Sequence, residues 1–148
     1  MILIKNNLQK IKINSNNLKN KAQRILKSLG YEDFDLGIWV TTNNTIQKYN
    51  KQFRKKDKPT DILSFPYHEN LKAGQAILAK CKEDKNLGDI IISAEFVKKD
   101  FPSSREFNNR LDVLLAHGIA HLLGYDHETA EEFAIMKKFE QKILKIIK

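Results

Sequence analysis

The chain has 148 residues with 41% hydrophobic and 30% charged residues, a composition that excludes a largely disordered chain and predicts one domain over residues 1–148. A single cysteine, Cys81, excludes an internal disulfide, and the N-terminal segment lacks the apolar run of a signal peptide or spanning helix, so we expect a cytoplasmic protein without a membrane partner. The net charge of +8 favours a polyanionic partner, although a lysine-rich surface without any partner would give the same surplus.

The first third of the chain predicts alternating strands and helices. Residues 2–4 predict a short strand, and Ser15 or Asn16 can cap a helix that Gly30 ends. The segment DFDLGIWVTT predicts a strand with one buried face, because alternate positions are apolar: Leu36, Ile38 and Val40. A helix is predicted from Asn43 to Phe53, with one side formed by Ile46, Tyr49, Asn50 and Phe53.

The middle of the chain predicts two further strands. KPTDILSFPY is bracketed by Pro59 and Pro66, which favour the edge of a sheet. Residues 68–87 predict a loop with one short element at most. LGDIIIS then predicts a buried strand, followed by the helical segment AEFVKKD.

Two helices complete the predicted fold. The helix from Arg105 to Leu123 is apolar on most sides and should be buried. Thr129 and Glu132 form a capping box at the start of the last helix. Its predicted apolar face is Ala130, Phe133, Met136, Phe139, Ile143 and Ile146 or Ile147. Together the elements predict an α+β fold, with a mixed sheet of about four strands packed with helices around a central buried helix.

A three-histidine metal site is predicted in residues 117–127, HGIAHLLGYDH. His117 and His121 lie four residues apart on one helix face, so both imidazoles can point at one atom. Gly124 can end the helix in a left-handed conformation and return His127 towards the pair. Three imidazoles with an open fourth position are typical of catalytic zinc, although nickel or cobalt would also fit. We therefore predict one Zn²⁺ per chain, in preference to a metal-free helix whose histidines are satisfied by hydrogen bonds.

The general base is not settled by the sequence. Zinc proteases with H-E-x-x-H carry a glutamate directly after the first histidine, and this chain has Gly118 there. The remaining candidates are Asp126, Glu128, Asp61 and the metal's own water. We expect Asp126 to be the catalytic carboxylate. The fourth histidine, His68, is expected at the surface.

A basic segment, KYNKQFRKKDK at residues 48–58, combines six basic residues with one acid and two aromatic rings. Such a segment suits single-stranded nucleic acid, and it equally suits a solvated helix face.

Four motifs resemble the YbeY family in order and spacing. They are N-x-x-F-R at 50–54, K-P-T-D-I-L-S-F-P at 58–66, L-G-D-I-I-I-S at 87–93 and H-G-x-x-H-L-L-G-Y-D-H at 117–127. The resemblance runs from about residue 36 to about residue 140, and the loop at 68–87 is longer and more basic than the family pattern.

The resemblance implies a zinc-dependent, single-strand-specific endoribonuclease that acts in 16S rRNA 3′ end maturation and in ribosome quality control, with ribosomal RNA and the small ribosomal subunit as partners. It also implies zinc at the positions of His117, His121 and His127 and an important arginine at Arg54. Arg54 would present a planar fork of donors to the phosphate in the transition state. The lysines would hold the flanking backbone as point charges: Lys51, Lys55, Lys56 and Lys58.

Two other functions remain open at this level. One is a zinc peptidase or other metallohydrolase. A peptide could bind along the predicted edge strand, although the glutamate missing at Gly118 argues against a peptidase. A non-catalytic ribosome-binding protein could hold the metal for structure alone.

Overall fold

A computed structural model describes residues 1–148 as a four-stranded sheet with five α-helices. The strands are Ile2–Asn6 (β1), Asp35–Thr41 (β2), Ile62–Pro66 (β3) and Asn86–Ser93 (β4). The helices are Ser15–Ser28 (α1), Asn43–Arg54 (α2), Ala94–Asp100 (α3), Ser104–Leu122 (α4) and Ala130–Ile147 (α5). The predicted α+β class is confirmed, and the loop at 68–87 contains one 3-10 turn, Lys82–Asp84.

The sheet is mixed and has the strand order β1-β2-β4-β3. The first three strands in that order are parallel, whereas β3 runs antiparallel to β4 with Leu63 opposite Ile91. β3 therefore lies at the edge, as its two prolines predicted. β4 is paired on both sides, which accounts for its run of three isoleucines.

The main core lies between one face of the sheet and helices α1, α4 and α5. Leu36, Ile38 and Val40 all point into it, which confirms the predicted alternation. α2 covers part of the opposite face around Ile46. None of the helices is both long and apolar enough to span a membrane.

Helix α4 is central because it packs against β3, β4, α3 and α5. It lies close to the sheet at Gly118, where a Cβ atom would come within 2.7 Å of Ile90 Cδ1 and 3.0 Å of Ile62 Cδ1. Both distances are shorter than ordinary van der Waals contact. A glutamate at this position would point into the sheet and would have to displace the Ile62 and Ile90 side chains, so the packing disfavours the H-E-x-x-H arrangement here.

Two details of the helices differ from the sequence-based expectation. α1 begins at Ser15, one or two residues earlier than a cap at Ser15 or Asn16 would require. Its cap is Asn14, whose side chain accepts a hydrogen bond from Asn17 N at 3.0 Å.

The buried stripe of α5 also differs from the predicted one. Ala130 and Phe133 are exposed, and the residues that α5 buries are Met136, Glu140, Ile143 and Ile147. These four residues are spaced three or four apart, so they form one narrow stripe along the helix, and this stripe faces α4 and α1. A charged residue, Glu140, thus lies in this buried stripe, where an apolar residue was expected.

The close approach at Gly118 can be tested by a double-mutant cycle. In the parent, overpacking by Gly118→Ala should cost roughly 1–3 kcal/mol, partly offset by a helix-propensity gain of about 1 kcal/mol. Ile90→Val removes the clashing Cδ1, so Gly118→Ala should cost about 1 kcal/mol less in that background. Urea unfolding of the four proteins measures this coupling, and strictly additive effects would contradict the predicted contact.

Candidate metal centre and its cleft

Helix α4 presents two imidazoles to one point in space. His117 and His121 are both half-buried, and their Nε2 atoms lie 3.1 Å apart. Two nitrogens bound to one zinc at about 2.0–2.1 Å in tetrahedral geometry would lie about 3.4 Å apart. The pair therefore has a spacing that a single metal ion can bridge.

The end of α4 delivers the third histidine through a Schellman motif. Tyr125 N donates to Ala120 O at 3.0 Å and Gly124 N donates to His121 O at 3.1 Å. Gly124 has a φ of +92°, and a Cβ there would clash with Leu71 O. The ligand atoms of the three histidines lie within 4.8 Å of one another as a result, with His127 the most exposed of them.

Burial affects the protonation of His121. Desolvation, together with the charges of His117 and His127, lowers the pKa of His121 from 6.5 to about 4. His121 is therefore neutral at pH 7, with a lone pair available to a cation.

Glu140 of α5 is a site residue that the sequence analysis missed. Its Oε1 accepts a hydrogen bond from His117 Nδ1 at 2.5 Å, and its side chain is only 11% exposed. A proton on Nδ1 leaves the Nε2 lone pair directed at the cluster, which is the usual arrangement of a metal-ligating histidine. The available signal was a carboxylate in the buried stripe between Met136 and Ile143, which requires a partner. The donor set and its orientation thus fit a metal ion.

Arg54 lines the same cleft as the three histidines. This cleft has a volume of about 740 Å³ and lies between the free edge of β3, the end of α2 and the turn after α4. Asn50 is buried and donates from Nδ2 to Lys58 O at 2.8 Å, which fastens the loop after α2. The Arg54 side chain is exposed and makes no hydrogen bond or ion pair within the protein. Its guanidinium is free to engage an anion.

The carboxylates considered as general base all line this cleft, namely Asp61, Asp126 and Glu128. Asp61 is paired with Arg110 at 3.5 Å. Asp126 accepts a hydrogen bond from His127 N at 2.7 Å through one oxygen, which leaves its other oxygen available. Asp126 stays a prediction as the catalytic carboxylate. His68 lies outside the cluster and bonds to Asp84 O at 2.8 Å, so it is not a ligand.

The predicted RNA-binding lysines lie outside the histidine cleft. Lys51 and Lys55 border a separate shallow depression on the outer face of α2, and Lys56 and Lys58 are exposed in the loop that follows. Lys51 Nζ is 3.9 Å from the Asp57 carboxylate. These four residues form a basic surface beside Arg54, and their contact with RNA stays a prediction.

Comparisons with known proteins agree with the motif resemblance. The sequence profile of the family described as Endoribonuclease YbeY matches residues 3–148. A human protein named Endoribonuclease YbeY is 39% identical over 145 residues, covering 97% of this chain and 87% of its own length. One of the same name from Aquifex aeolicus is 37% identical over 144 residues, with 95% and 85% covered. The solution structure of TM1509 from Thermotoga maritima aligns with a TM-score of 0.52 at 28% identity, covering 97% of this chain and 89% of that one.

The role of Glu140 can be measured as a change in metal affinity. Glu140→Gln keeps the size of the side chain but removes the charge that orients His117, so Zn²⁺ affinity should fall about 10- to 100-fold. Glu131→Gln is the matched control, because it makes the same change at an exposed position of the same helix. Competition with a chromophoric chelator gives both constants. Equal affinities in the two variants would rule out an orienting role for Glu140.

Proposed function

The chain belongs to the family of YbeY endoribonucleases, and on that premise we propose that it is a zinc-dependent, single-strand-specific enzyme whose active site is the histidine cleft. As a family member it is a hydrolase that acts on RNA. The observation that carries the proposal is the convergence of three imidazoles and one unpaired guanidinium on a single cleft. His117, His121 and His127 would hold one zinc ion per chain.

The proposed chemistry combines this metal with Arg54. Zinc at this position would supply a Lewis acid for a phosphoryl oxygen and would lower the pKa of an attacking water. Arg54 would hold the non-bridging oxygens of the scissile phosphate through its planar fork and stabilise the charge that develops in the transition state. Asp126 would accept the proton of the attacking group through its free oxygen.

The proposed biological substrate is ribosomal RNA. We place the enzyme in the cytoplasm, in 16S rRNA 3′ end maturation and ribosome quality control, with the small ribosomal subunit as partner. The net charge of +8 and the lysine surface beside Arg54 support a polyanionic substrate. The exposed lone thiol of Cys81 is compatible with a reducing compartment.

The peptidase alternative is tested together with this proposal. The free edge of β3 borders the cleft and could receive a peptide, yet the chain has glycine at position 118, where the glutamate of a zinc protease would have to displace the Ile62 and Ile90 side chains. Pure protein is incubated with single-stranded RNA and with casein, each with and without a chelator. Chelator-sensitive cleavage of RNA alone is expected. Cleavage of casein would support the peptidase, and cleavage of neither would support a non-catalytic binding protein.

Binding and chemistry should separate when Arg54 is compared with its neighbouring lysines. Arg54→Lys keeps the charge but loses the fork, so cleavage of saturating RNA should slow about 100-fold while affinity changes little. Lys55→Ala combined with Lys56→Ala should instead weaken RNA binding and lower the slope of log affinity against log salt concentration by the amount expected for about one or two phosphate contacts. The cleavage rate at saturating RNA should stay nearly unchanged. Single-turnover rates and affinities at two salt concentrations provide the measurement. If Arg54→Lys cleaves saturating RNA at the parent's rate, Arg54 only contacts the RNA backbone and has no special role in the transition state.

A further inference from the structure

Two clefts meet at the histidine cluster. The first is the Arg54 cleft described above. The second has a volume of about 200 Å³ and lies between α4 and α5. His117 and His127 line both clefts, as does Asp61 immediately before β3. A flexible chain lying across the cluster would therefore enter one cleft and leave through the other.

The second cleft carries an exposed aromatic ring beside two cations. Phe133 is 57% exposed, although its position in α5 predicted a core residue. Lys137 follows four residues later on the same helix face and makes no ion pair. Arg110 of α4 adds a guanidinium, which contacts Asp61 at 3.5 Å through one nitrogen and has further donors free.

The first cleft offers the same combination of groups. Phe53 is 56% exposed there and precedes the unpaired Arg54, and its ring lies 5.1 Å from that of Phe65. An aromatic ring next to a cation is the combination by which proteins bind single-stranded nucleic acid, because a base stacks on the ring while the phosphate meets the charge. The histidine cluster thus has such a pair on each side.

The two carboxylates of the second cleft both have partners within the protein. Asp61 is paired with Arg110, and Glu140 accepts the bond from His117. Lys137 therefore faces no acidic group that lacks a partner of its own within the cleft. The two cations of this cleft equal its two carboxylates in number, and Lys137 is the cation without a carboxylate partner, so its ammonium group is available to a phosphate.

An endonuclease cuts inside a chain, so its substrate must extend from the scissile phosphate in both directions. We propose that the second cleft binds the RNA on one side of the scissile bond, with a base stacked on Phe133 and the adjoining phosphate held by Lys137 and Arg110. Phe53 and Arg54 bind the RNA on the other side. This assignment rests on the proposed catalytic role of the histidine cluster.

The experiment compares two matched double variants of the metal-loaded chain. Phe133→Ala with Lys137→Ala removes the ring and the free cation of the second cleft. Ile135→Ala with Lys138→Ala removes an exposed apolar residue and a lysine from the same helix, outside both clefts. The probe is a fluorescent single-stranded RNA with one mapped cut, in full length and in two forms, each shortened on one side of that cut. Anisotropy on ice gives the affinity before cleavage proceeds.

On the full-length RNA, the Phe133 and Lys137 variant should bind about tenfold more weakly than the parent. The slope of its log affinity against log salt concentration should fall by the amount expected for the loss of about one phosphate contact. The Ile135 and Lys138 variant should bind like the parent. The deficit should vanish on one shortened RNA and persist on the other, and Phe53→Ala should show the reverse preference.

Equal affinities in the two double variants, or a deficit that persists on both shortened RNAs, would overturn the assignment. A wrong assignment of the active site would give a different result, namely unchanged RNA cleavage by His121→Ala. The RNA affinities are measured without cleavage, so they test the second cleft independently.

Discussion

The closeness of α4 to the sheet at Gly118 sets the geometry on which the site depends. With no side chain at this position, the helix backbone lies against Ile62 and Ile90, and each neighbouring residue is rotated by about 100° from the contact. His117 is therefore turned away from the sheet, towards the cleft and α5. Its Nδ1 meets Glu140 there, and its Nε2 meets His121. Packing of an apolar core thus directs the polar groups that would bind a metal.

The same contact separates this site from that of an H-E-x-x-H protease. A glutamate after the first histidine would have to displace buried isoleucine side chains, so the packing favours a proton acceptor on the cleft side. The cleft contains the carboxylates of Asp126 and Glu128, which remain candidates for that role, and the cation of Arg54. A guanidinium suits the negative charge that develops on a phosphate, which agrees with membership of an endoribonuclease family.

The sequence predicted the fold and the histidine cluster well because both depend on local patterns. Period-two alternation identified β2, the flanking prolines placed β3 at the edge, and the four-residue spacing with Gly124 identified the cluster. The sequence did not predict the burial of Glu140 or the exposure of Phe133, because both depend on the rotation of α5 about its own axis. That rotation buries Glu140 against His117 and leaves Phe133 in solvent, and it is fixed by packing against α1 and α4. An apolar pattern marks a helix face only to within about one residue, so it could not choose between positions 139 and 140.

The central claim is that three imidazoles hold a catalytic metal ion, and elemental analysis tests it most directly. The chain is purified without a histidine tag, as the parent and as His121→Ala, and the zinc content per chain is measured by mass spectrometry. The account predicts about one zinc per parent chain and a large loss in the variant, because the helical pair would supply two of the three ligands. A parent without stoichiometric metal, or a variant that retains the parent's content, would contradict it.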